Sequence, residues 1–320
     1  MKINSILLSA AIFFSLNSVA RADNENGFNK YILRAVEDIN RNYPSKGYDI
    51  SRAYTHNITY GSEAVKASQP PLTMCVAASA EVIITALNMY AAETGDKSVY
   101  KYFPATSWNR MRPKDIRSHI WVDPKLDSYG TADALVTFGV GKRVKFSELE
   151  PGSFVNINRL NRTGHSVVFI GFIDGKGEVL SKYSDKVMGF KYFSSQGKGT
   201  TGDAGFAYRY AFFAKDSNNP YCPDLPAGKR RDCKIIWSTG QKLLNTGYML
   251  MPSKWDAAAR DKNLKDIADG LYVQTRSRGP SALPGISQDL SEPEFLKAID
   301  EKDTMELNPV FTLGNTTTDD

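Results

Sequence analysis

Apolar positions recur at helical spacing from Asn26 to Asn42, at Phe28, Ile32, Leu33, Val36 and Ile39, and predict an amphipathic helix. Residues 43–70 break that pattern, apart from a short extended piece at Ile58-Thr59-Tyr60. The run from Cys75 to Ala92 then contains no Gly or Pro and is apolar on nearly every face (Val76, Ala80, Val82, Ile83, Ile84, Leu87). A helix of that kind is buried in the middle of a domain. Thr73 is the expected N-cap, which puts Cys75 in the first turn. Residues 95–130 are mixed and aromatic and predict loops and short helices over the core, and Thr131 to Phe138 reads as a short helix ended by Gly139. Phe146 to Gly152 reads as a turn.

Beyond the turn the period changes to two. Ser153–Asn158, His165–Ile173, Val187–Ser194 and Phe206–Phe213 read as strands, with Cys233–Trp237 as an edge strand. Residues 254–272 return to a helical pattern. A buried N-terminal helix followed by an antiparallel sheet defines an α+β class. From Arg276 onward Gly, Pro and a Thr-rich end remove any periodicity, so residues 276–320 are expected to be a mobile tail.

The first residues resemble a secretory signal. Lys2 precedes an apolar stretch, Ile6 to Leu16, and Ala20-Arg21-Ala22 offers a small-x-small cleavage pattern. The expected organisation is a signal peptide at 1–22, one domain at 23–275 and the acidic tail. No lipid-anchored Cys follows the cleavage site, and no later segment reads as transmembrane, so a periplasmic or secreted protein without a stable membrane anchor is expected.

Charge sharpens the picture of a partner. The 320-residue chain carries a net +5, although nine acidic and only two basic residues fall from Pro280 onward, so the body is strongly basic. A basic exported body suits an anionic polymer such as the bacterial cell wall. No zinc finger, RNA-binding signature or basic helix supports nucleic acid. No HxxH, HExxH or paired CxxC spacing implies a metal, and no P-loop, Rossmann fingerprint or GxSxG elbow is present, so no cofactor is expected.

Three cysteines carry an inference. Cys222 and Cys233 bracket a polar, Pro/Gly-rich stretch and read as a disulfide in an oxidising compartment, which stabilises by roughly 3 kcal/mol in the chain-entropy estimate. Cys75 is then the odd thiol. In the first turn of a helix the unpaired N–H groups and the dipole favour thiolate over thiol. A buried, inert core cysteine is the competing reading.

A cysteine nucleophile needs a base and a group that orients it. His165 opens the strongest strand directly after Gly164 and is preferred over His56 and His119. If 165–173 pairs antiparallel with 187–196, Ser194-Ser195-Gln196 returns beside His165. Gln196 can then fix the imidazole through its amide oxygen, with Ser194 or Ser195 as weaker alternatives. Asp174 and Asp185 fall at the far end of that hairpin. The Cys75 N–H is the natural first donor to an oxyanion, with Gln69 or Tyr60 as the second.

A Cys opening a buried helix, then LEPGSFVNINR, then GHSVVFIGFI, resembles the NlpC/P60-type, papain-like peptidoglycan amidases over roughly residues 60–213. The resemblance implies a papain-like α+β domain with Cys75 as nucleophile, His165 as base and Gln196 as orienting residue. It also implies peptidoglycan peptides as substrate. The chain departs from the family at Met74-Cys75-Val76, where Asp-Cys-Ser/Gly is usual, and at Gly152-Ser153, where Gly-Asp is usual. The expected activity is an exported cysteine amidase or endopeptidase. An acyl or peptidyl transferase on the same fold and a non-catalytic cell-wall or partner-binding protein remain alternatives.

Overall fold

A computed structural model describes residues 27–44, 47–121, 126, 128–158, 164–197, 204–213, 231–236 and 238–271. The expected signal peptide and tail lie outside them.

The chain is α+β. Helix α1 (Asn29–Asn42) is followed by a small hairpin of β1 (Ile58–Tyr60) and β2 (Glu63–Val65), and then by the central helix α2 (Cys75–Thr94). Three short helices cover the core: α3 (Ser98–Tyr102), α4 (Thr106–Asn109) and α5 (Ile116–Ile120). Helix α6 (Thr131–Thr137) leads into a sheet made of β3 (Gly141–Arg143), β4 (Phe154–Asn158), β5 (Gly164–Ile173), β6 (Val179–Leu180), β7 (Gly189–Gln196), β8 (Gly205–Phe213), β9 (Arg231–Ile236) and β10 (Leu244–Met249). Helix α7 (Ala257–Ala268) follows. The sheet order is β3-β10-β4-β5-β7-β8-β9, with β6 beside β5. Every pairing is antiparallel except β8 with β9, which is parallel at the sheet edge.

Helix α2 forms for the reason its pattern gives. It is apolar around its circumference and packs with α1 on one side and the sheet on the other. By length and composition it could cross a membrane, which corrects the expectation that no such segment follows the N-terminus. Its side chains are buried within the fold, so here it is the core helix. Gly95 ends it in the left-handed conformation (φ 76°), the usual helix stop. The N-cap is Met74, in extended conformation and without a side-chain cap, rather than Thr73. Cys75 is therefore the first helical residue.

The two faces of the sheet are distinct. Phe154, Val168 and Phe193 join the core that contains α1 and α2. Their neighbours in sequence, Val155, Val167 and Tyr192, join a second core closed by Phe146 and Leu149. This is the period-two alternation of a sheet buried on both sides.

The polarity of α2 over the sheet follows from two fixed ends. Near its C-terminus Glu93 accepts from Tyr31 Oη (3.0 Å) and pairs with Arg34, which ties it to the start of α1. There Asn29 lies against Gly152, whose N–H donates to Phe169 O (2.9 Å), well along β5. Toward its N-terminus Ser79 Oγ meets Ser166 Oγ at 2.8 Å, near the start of β5. Cys75 lies one turn beyond Ser79, so it is carried toward the end of the sheet where β5 begins and β7 finishes.

Candidate functional site

Cys75 is a buried thiol, 2 % exposed. As the first residue of α2 it sits where the helix leaves N–H groups without intrahelical partners. Tyr48 Oη points at Sγ from 3.9 Å. The register that brings Tyr48 there is a single parallel bridge to Thr73, supported by Asp49 N–H donating to Thr73 O (3.0 Å). Tyr48 is a site residue that sequence reasoning misses. It sits in an irregular segment, and only the tertiary bridge to Thr73 brings it to the thiol.

His165 is the second residue of β5 and is fully buried. Consecutive residues point to opposite faces. Ser166 faces the helices, bonding Ser79 of α2 and, at 3.0 Å, Thr131 of α6. His165 is directed to the other face, where its ring meets Tyr192 edge-on with centroids 5.4 Å apart.

The β5/β7 hairpin runs toward Gln196 and His165. The ladder between β5 and β7 ends with Phe169 paired to Tyr192 and Val168 to Phe193. Extended in the same register, it would set Ser166 against Ser195 and His165 against Gln196. Tyr192 Oη donates to Gln196 Oε1 (2.8 Å), so the amide expected to orient the imidazole holds a phenol. Ser194 shares that face and donates to Ser166 O (2.7 Å). Ser195 points to the helical side with Phe193. Arg209, opposite Tyr192 and fully buried, donates to Ser194 O and Gly205 O at 2.8 Å each and ties β7 to β8 at this end.

The structure thus brings Cys75, His165, Ser194, Ser195 and Gln196 to one end of the sheet. The thiol sits on the helical side, and the imidazole starts from the opposite face.

One expected oxyanion donor, Tyr60, is corrected. Tyr60 is buried beside Tyr100 and Trp108, with its hydroxyl 3.5 Å from Val99 O. Asn88 holds the adjacent Thr59 O (2.8 Å), thirteen residues along α2 from Cys75 and so about 20 Å from it. Burial raises the Tyr60 phenol well above its ordinary pKa, so it stays protonated. Gln69 is exposed on the turn before the cis Pro70-Pro71 bond, with φ 99°, and its carbonyl accepts from Leu72 N–H.

The other histidines lie elsewhere. His56 stacks flat on Tyr43 (centroids 3.5 Å apart) and lies 3.4 Å from Glu81 Oε1. His119 Nε2 is 2.6 Å from Pro113 O, with its ring edge-on to Phe138. Cys222 and the side chain of Cys233 fall outside the described residues, and so does their expected pairing. Among the described residues no three His, Cys, Asp or Glu side chains are grouped to hold a metal ion.

No protein-family model, no curated protein and no solved structure matches the chain.

Proposed function

We propose that the protein is an exported, papain-like cysteine hydrolase of NlpC/P60 type that cleaves amide bonds in peptidoglycan peptides. The observation that carries this reading is the Ser79–Ser166 hydrogen bond, which joins the turn after Cys75 to the residue after His165. In this reading Sγ attacks the scissile carbonyl and forms the C–S bond. The C–N bond breaks as His165 gives a proton to the leaving amine, and water then hydrolyses the thioester. For this His165 swings from the face of Tyr192 around the start of β5 to the thiol, and Gln196 orients it there. The helix-start N–H of Cys75 stabilises the oxyanion, and Tyr48 Oη positions Sγ.

Two observations favour a rival: Cys75 is buried, and His165 is directed to the face of Tyr192. In that reading the protein is a cell-wall binder with an inert thiol. Incubating the chain from Asp23, and its Cys75→Ala variant, with purified peptidoglycan, then weighing the soluble products, separates the two. New fragments from the native protein alone support the hydrolase, and their masses name the bond. Products that incorporate an added amine acceptor identify the transferase. No product of either kind, with a native thiol inert to iodoacetamide, sinks the enzyme and leaves the binder.

A further inference from the structure

Among the described residues, the buried Ser and Thr hydroxyls without a hydrogen-bond partner are Thr73 Oγ1 and Ser195 Oγ, both on fully buried residues. The neighbouring hydroxyls are all engaged. Ser166 Oγ bonds both Ser79 and Thr131, and Ser194 donates to Ser166 O. A buried hydroxyl without a partner is costly, and native proteins keep few of them.

One orphan adjoins the thiol in sequence, and the other sits on β7 at the sheet end toward which α2 carries Cys75. Thr73 lies two residues before Cys75, joined to it through the extended Met74. Ser195 pairs with Phe206 on one side, and the β5/β7 register, extended past Val168–Phe193, sets it opposite Ser166 on the other. It shares the face of Phe193, which packs in the same apolar core as Cys75 and Met74. Ser195 therefore points to the helical layer at the sheet end that α2 approaches with its N-terminus.

We propose that Ser195 and Thr73 are the side-chain donors that bind the carbonyl oxygen of the acyl substrate at Cys75, in place of Gln69 and Tyr60. A hydroxyl donates one hydrogen bond at no cost in charge, and a buried one keeps its strength because water does not compete. Two such donors beside a helix-start N–H form an oxyanion site for a tetrahedral intermediate. This rests on Cys75 being a nucleophile.

Two probes keep the readings apart. Iodoacetamide alkylates a thiolate by displacement at a saturated carbon and forms no oxyanion. p-Nitrophenyl acetate acylates it through a tetrahedral oxyanion and releases p-nitrophenolate. Ser195→Ala should slow the p-nitrophenolate burst by about 10- to 100-fold while leaving the iodoacetamide rate unchanged, with Thr73→Val acting in the same sense. Ser195→Thr, which keeps the hydroxyl, should restore the burst. A burst unchanged by Ser195→Ala overturns the proposal and leaves the nucleophile standing. So does equal slowing with both probes, which reports disturbed packing. A native thiol inert to iodoacetamide removes the nucleophile itself, and the proposal with it.

Discussion

Ser79 Oγ and Ser166 Oγ lie 2.8 Å apart in the core, although 87 residues separate them in the chain. Ser166 also meets Thr131, so three hydroxyls from α2, α6 and β5 close a small buried network. This network is a polar tie in a largely apolar helix–sheet contact, and it fixes how far α2 slides along β5. Ser79→Ala should cost about 1 kcal/mol in unfolding free energy, the usual net value of one such bond. The double variant with Ser166→Ala should cost less than the sum of the single ones, because both remove the same bond. Chemical denaturation of the four proteins measures this. Strict additivity would mean that the bond contributes nothing.

Alkaline pH should destabilise the fold through its buried phenols. Tyr54 donates to Trp108 O (2.7 Å), and burial pushes its pKa up to about 12, with Arg117 opposing the rise and Glu81 adding to it. Burial likewise pushes Tyr102 up to about 12. The folded protein therefore keeps these protons between pH 10 and 12 while the unfolded chain releases them. This contribution is complete below the unfolded value near 10 and is lost as pH rises through about 12. Tyrosinate absorbance at 295 nm should show a class of phenols that ionise late and together with the loss of circular dichroism. Ionisation of every tyrosine near pH 10 in the folded protein would contradict this.

Much of the fold is legible in the sequence, and the reasons differ by element. Helix α2 is readable because an apolar run free of Gly and Pro has few alternatives at that length. Strands β5, β7 and β8 are readable from composition and turn signals, and the β5/β7 register follows from the hairpin itself. Strand β10 is not read. All six of its residues are buried, so no alternation shows, and Asn245 and Gly247 speak against a strand. Asn245 is there because its amide donates to the buried Asp133 carboxylate (2.8 Å), a contact 112 residues away in sequence. At the site, period two already separates His165 from Ser166. Which of the two meets the helix depends on where α2 docks, and no local pattern records that. Tyr48 and the orphaned Thr73 hydroxyl are hidden for the same reason.

Glu81 is a fully buried carboxylate in the middle of α2, and Thr55 supplies it with a backbone N–H (2.8 Å) and a hydroxyl (2.6 Å). Glu81→Ala strands both donors in the core and should cost about 1–3 kcal/mol. Glu81→Gln keeps one acceptor oxygen and should cost less. Neither should alter alkylation of Cys75, since Glu81 projects from α2 well round from the first turn. Denaturant midpoints and alkylation rates measured on the same samples test both halves. An equal loss for Gln and Ala would transfer the role from hydrogen-bond acceptance to charge.

Gly152 couples the docking of α1 to the sheet, and with it the direction in which α2 points. Its φ is 91°, a conformation L side chains rarely adopt, and an added Cβ would stand 2.7 Å from Asn29 O and 2.8 Å from Asn29 Cβ. The strain and the clash act together in Gly152→Ala. Neither is relieved by a rotamer change, because the obstructing atoms are the backbone and Cβ of the first helical residue. The loss should therefore exceed the roughly 1 kcal/mol expected from the conformation alone. Trimming Asn29 to Gly removes its Cβ but not its carbonyl, so Asn29→Gly should rescue Gly152→Ala only in part. Thermal unfolding of the two single variants and the pair would show this as a melting temperature between those of Gly152→Ala and the native protein. No loss in Gly152→Ala would mean that α1 docks against the sheet differently, and the polarity inferred for α2 would lose one of its two anchors.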